Sequence, residues 1–211
     1  MSTYDQIHWK EEIANAITHG IGFLLSIPAL VILIIFAVEK GTAWHVVSFT
    51  VFGVSMLLLY LFSTMLHSFK PSPVKRLFAI LDHSAIYVLI AGTYTPFVLV
   101  SIRGPLGWTI FGIVWGLALT GIVFKCYFID RYNVISTLFY LLMGWLIIIA
   151  IKPIYLSLTG TGFALLLTGG ISYSIGAIFY IWDKLPYNHA IWHLFVLAGS
   201  GFMYFCVLFY V

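Results

Sequence analysis

Apolar residues in this chain do not alternate with polar ones. They come in runs of about 20, the length a helix needs to cross the hydrocarbon core of a bilayer. Charged, proline or glycine breaks separate runs at residues 16–38, 45–67, 80–101, 107–126, 134–151, 162–182 and 190–211. Strands of a membrane barrel would read as alternating segments of about ten residues, a pattern these continuous runs do not follow. The expectation is an all-α polytopic membrane protein, a seven-transmembrane helix bundle forming one domain over residues 1–211.

Composition agrees. The chain is 62% hydrophobic and 8% charged, against about 25% charged residues in an ordinary soluble domain. A net charge of +3, scattered along the sequence, argues against a nucleic-acid partner. Cys126 and Cys206, the two cysteines, lie in or beside apolar runs, so neither a disulfide framework nor a cysteine zinc motif is available. The segment from Met1 to Glu12 is polar and lacks the order of a cleaved signal peptide, so the first run is expected to stay as an anchor.

The basic residues set an orientation. With the amino terminus in the cytoplasm, Lys10, Lys70, Lys75, Arg76, Lys125, Arg131 and Lys184 face inward, while Lys40, Arg103 and Lys152 face outward. That asymmetry is what the positive-inside rule requires of a cell-membrane protein. Trp44, Trp108 and Trp182 fall at interfacial positions, as do His8 and His45.

Ionisable groups at membrane helices are costly and are functional candidates by default. Here they gather at one level. His67 ends the second run, Asp82 begins the third, and His189 with His193 begins the seventh. By parity of crossing all four lie on the cytoplasmic side, together with Glu12, Asn15 and His19 at the start of the first run. Residues four apart share a helix face, so His189 and His193 can grip one ion, and Ser63 pairs with His67 and Asn15 with His19 in the same way. Asn188, just after Pro186, is placed to cap the last helix. Three imidazoles with one open position are the donor set of a catalytic zinc site, and zinc lowers the pKa of a bound water towards about 7. Asp82 is the natural carboxylate to orient that water and take its proton.

Each residue also has a plainer reading. Asp82 could pair with Lys75 or Arg76, Ser63 could bond back to its own helix, and Glu11 and Glu12 could simply be solvated. His83 points about 100° away from Asp82 and reads as a packing residue. Convergence of four sequence-distant stretches on one face favours the metal.

These residues form motifs. Glu12-x-x-Asn15-x-x-x-His19, Ser63-x-x-x-His67, Asp82-His83-Ser84-x-Ile86-Tyr87 running on to Ala91-Gly92-Thr93-Tyr94-Thr95-Pro96, and His189-Ala-Ile-Trp-His193 together resemble the hemolysin III family. That family belongs with progestin and adiponectin receptors and alkaline ceramidases in one superfamily of seven-helix membrane proteins. The resemblance implies a zinc ion held by His67, His189 and His193, with Asp82 beside its water, Ser63 in support and a cytoplasmic amino terminus. It also implies hydrolysis of a lipid amide or ester, with membrane lipid as substrate or ligand. Many relatives carry a further histidine where this chain has Met203, so position 203 is excluded as a ligand.

Three functions follow as expectations: a zinc-dependent lipid hydrolase, a lipid-sensing or membrane-homeostasis protein with a structural zinc, and a pore-forming cytolysin. The last needs polar residues along a pore-lining helix, and the middles of these runs are nearly free of charge.

Overall fold

The computed structural model describes residues 3–129 and 131–211, with side chains from Trp9 onward, so the expected interfacial position of His8 lies outside the described side chains. The described elements are helical. They are α1 (Thr3–Lys40), α2 (Ala43–Ser68), α3 (Pro73–Pro96), a π-helical turn (Phe97–Ser101), α4 (Pro105–Phe128), α5 (Asn133–Trp145), a 3-10 turn (Leu146–Ala150), α6 (Ile151–Tyr180) and α7 (Asn188–Tyr210). Among the described residues six helical stretches are long and apolar enough to cross a membrane, because α5, the 3-10 turn and α6 run on as Asn133–Tyr180. The sequence predicts two separate runs there, 134–151 and 162–182. Within α6 the backbone leaves helical geometry at Thr159 (φ 63°, ψ 174°).

The outside of the bundle is apolar. Leu24, Leu25, Leu142, Leu156 and Phe209 are all largely exposed, which an integral membrane protein tolerates because lipid covers them. The most enclosed helix is α3, where 72% of the apolar window is buried against 22% for α1. It carries Asp82, Ser84, Thr93 and Thr95 into the interior. Close approach makes this possible. A Cβ on Gly92 would overlap the Ser55 side chain of α2, and one on Gly121 of α4 would overlap the Tyr87 ring.

Helix α3 starts earlier than the expected residue 80. Ser72 accepts a hydrogen bond from the Lys75 backbone N–H at 3.2 Å and Pro73 occupies the first helical turn, a start signal that hydropathy alone does not register. Lys75 and Arg76 therefore sit on the helix and not in a loop, and Asp82 lies more than two turns inside it. At the other end of α3, Tyr94 repairs the helix break after α5. Its hydroxyl donates to Gly144 O at 2.7 Å and accepts from the Ile147 N–H at 2.7 Å. Backbone groups freed inside a bilayer must find such partners.

Candidate metal centre

Helix α7 begins after Tyr187, whose left-handed backbone (φ 57°) turns the chain back into the bundle. The Tyr187 N–H donates to Glu11 Oε1 at 2.9 Å, which ties this corner to α1. Asn188, expected as the cap, is instead the first helical residue, and its amide donates to Tyr180 O at 3.3 Å. One turn then separates His189 from His193, with ring centroids 4.6 Å apart. His67, in the last turn of α2, brings its ring to 4.9 Å from His189 and 5.4 Å from His193. One ligand nitrogen from each of the three lies within 4.8 Å of the other two.

The surroundings fix which nitrogen faces the centre. Asn15 O lies 3.2 Å from His193 Nδ1, and a carbonyl can only accept, so Nδ1 carries the proton. Thr18 reinforces this, because its hydroxyl already donates to Ala14 O at 2.9 Å and receives His193 Nδ1–H at 3.0 Å. The lone pair of His193 is thus on Nε2. At His67, Nδ1 points to Glu12 Oε2 at 3.4 Å, and Glu12 is held in turn by Lys75 Nζ at 2.6 Å. His67 Nε2 is left buried with no hydrogen-bond partner. An unpartnered buried acceptor of this kind costs about 1–3 kcal/mol, and a cation would satisfy it. Backbone carbonyls and carboxylates behind the imidazoles are also the usual supports of metal-ligating histidines. The residues present fit a metal ion.

The other expected residues assemble around this point in different ways. Asp82 is buried and lines the same cavity as His189 and His193, and Ser63, wholly buried, lies beside its carboxylate. Lys75 pairs with Glu12, so it is not the partner of Asp82. Asn15 and His19 are buried, and the His19 ring stacks on His193 with centroids 3.4 Å apart and planes 13° from parallel. His83, read as a packing residue, does donate from Nδ1 to Ala79 O at 2.8 Å, but its Nε2 accepts from the Tyr180 hydroxyl at 3.3 Å and the ring lines the cavity. Thr18 and Tyr180 were not singled out from sequence. Their spacing offers a faint signal: Thr18 follows Asn15 by three residues, and Tyr180 ends an apolar run at the level of the histidines.

The cavity runs away from the histidines between α3, α5, α6 and α7. Its polar end is His19, Asp82, His83, His189 and His193; its far end is apolar, reaching Phe97 and Met203. Along α3 the lining extends from Asp82 to Phe97, about 22 Å at 1.5 Å per residue.

The sequence pattern of the family described as haemolysin-III related matches residues 7–204. Hemolysin-3 of Bacillus cereus is 69% identical over 202 residues, covering 96% of this chain and 92% of that protein. The Hemolysin-3 homolog of Bacillus subtilis strain 168 is 67% identical over 201 residues, covering 95% and 94%. More distantly, the human monocyte to macrophage differentiation factor is 29% identical over 204 residues, covering 93% of this chain and 83% of its own length. That distant similarity to a human protein fits the wider superfamily expected from the motifs.

Proposed function

The chain belongs to the haemolysin-III related family, and from that premise we propose that it is a metal-dependent hydrolase of acyl lipids, its ion zinc, acting at the cytoplasmic edge of the cell membrane. The observation that carries this reading is the meeting of three histidines, two of which line the polar end of a long apolar cavity, with one buried ring nitrogen left for an ion.

His67, His189 and His193 would hold the ion. Zinc so bound supplies a polarised acyl carbonyl and an acidified water. The chain's own residues do the rest. Glu12, Thr18 and the Asn15 carbonyl keep two imidazoles in the tautomer that presents Nε2 inward. Asp82, through a carboxylate oxygen, takes a proton from the attacking water and returns it to the leaving amine or alcohol. The apolar cavity receives the hydrocarbon chain; its length of about 22 Å exceeds one leaflet's half of the ~30 Å bilayer core. Water is excluded there by Leu89, Ile90, Phe97 and Leu166.

The reading includes seven crossings with the amino terminus inside. Support comes from the stretch Asn133–Tyr180. Trp145 Nε1 donates to Ser174 Oγ at 3.0 Å, Ser157 Oγ donates to Ser101 O at 3.3 Å, and Tyr180 meets His83. The first pair is that of an antiparallel hairpin closing at Thr159 and Gly160, and the other two put Ser157 and Tyr180 at opposite ends of the Pro73–Ser101 stretch. Each half then crosses once, and the basic residues divide as the positive-inside rule requires.

The test is to incubate purified, zinc-loaded protein with a membrane lipid extract and follow free fatty acid release by mass spectrometry, beside His193→Ala. A second reading, zinc as a clamp without chemistry, draws on the way the triad joins the sequence-distant ends of α2 and α7. It predicts zinc in the protein and no change in any lipid.

A further inference from the structure

We propose that His19 reads the headgroup of the lipid, favouring lipids that bring a hydrogen-bond donor, an amide N–H or a hydroxyl, next to the acyl carbonyl. This rests on the preceding reading that the cavity takes an acyl lipid.

His19 lines the cavity beside His189 and His193, is 3% exposed, and has no hydrogen-bond partner at either ring nitrogen. It is not a fourth ligand to the same ion. Imidazole lone pairs lie in the ring plane. With the two planes 13° from parallel and the centroids 3.4 Å apart, an ion in the plane of His193 lies well out of the plane of His19. Nor is the ring free to turn away, since Tyr60 packs edge-on against it at 5.1 Å. A neutral imidazole offers one donor and one acceptor. Both ring nitrogens of His19 therefore await a partner. An acyl ester, which has acceptors alone, can meet the N–H but leaves the ring acceptor unpaired, whereas an amide or hydroxyl group supplies the missing proton. Specificity of this kind comes from the cost of leaving a built polar site unsatisfied.

The experiment uses an isosteric pair of probes, N-methylpalmitamide and methyl palmitate, which differ by N–H against O. Binding to detergent-purified, zinc-loaded protein is measured by native mass spectrometry for wild type, His19→Phe and His19→Gln, with zinc content read from the same samples. Wild type should hold the amide about tenfold tighter, the worth of one recovered hydrogen bond. His19→Phe, which keeps the stacked ring, should bind both probes alike and retain zinc. His19→Gln, with a donor and an acceptor restored, should recover part of the preference. Equal binding of both probes by wild type overturns the proposal while leaving the cavity reading intact, as does a preference that survives in His19→Phe. Loss of zinc in both variants overturns it by making His19 a support of the triad. If wild type binds neither probe, the acyl-lipid reading itself falls, and this proposal with it.

Discussion

The Nδ1 of His193 lies 3.2 Å from the carbonyl oxygen of Asn15, so the last helix takes its imidazole tautomer from the first. The same helix α1 reaches the other side of the triad through Glu12, which contacts His67 Nδ1 at 3.4 Å. Two of the three histidines are thus held from behind by a helix that contributes none of them.

Glu12→Gln tests that support. The substitution removes the charge that binds Lys75 and weakens the acceptor behind His67. Zinc affinity should fall about 10- to 100-fold, the usual effect of losing such a partner, in a chelator competition on purified protein. An unchanged affinity would detach α1 from the site.

Asp82→Asn separates chemistry from binding. Because Asp82 is not among the three converging ligands, zinc content should stay at the wild-type level. Fatty acid release should drop by about 10²–10⁴-fold, the range of general acid–base catalysis. Hydrolysis at the wild-type rate would remove Asp82 from the mechanism, and full loss of zinc would make it a ligand.

Tyr94→Phe tests how the break after α5 is held. It strips the Gly144 carbonyl and the Ile147 N–H of their shared partner inside the bilayer. A destabilisation of about 1–3 kcal/mol is expected, read as a lower melting temperature in detergent. No change in melting would mean that another group satisfies the turn.

Crossing number is open to cysteine labelling in a background lacking Cys126 and Cys206. With two crossings between Asn133 and Tyr180, Arg131→Cys and Lys184→Cys should react with a membrane-impermeant maleimide from the same side, and Gly160→Cys from the other. Labelling of Arg131→Cys and Lys184→Cys from opposite sides would mean a single crossing.

Much of the site was legible because its signals are local. His189 and His193 announce a shared face by their spacing, and the parity of apolar runs places His67 and Asp82 at the same level. The structure brings the three histidines within ligand reach and lines one cavity with Asp82, His189 and His193. The roles of Thr18, Tyr180 and Tyr94 were hidden because a hydroxyl gains meaning only from what it faces, and that depends on how α1, α3 and α6 rotate in the packed bundle. The start of α3 was misplaced because a capping serine and proline outweigh the charge of Lys75 and Arg76. The break between the fifth and sixth runs, expected between residues 151 and 162, falls at Thr159. Pro153 does not make it, because it lies in the first turn of α6, where a missing N–H costs no helical hydrogen bond. Helix phase alone sets His83 aside, yet its ring meets the Tyr180 hydroxyl and lines the cavity.

The account stands most directly on metal content. Elemental analysis of detergent-purified wild type, His67→Ala and His193→Ala should find about one zinc per chain in the first and almost none in the others, as three-imidazole coordination demands. Equal metal in all three, or none in wild type purified without chelator, would contradict it.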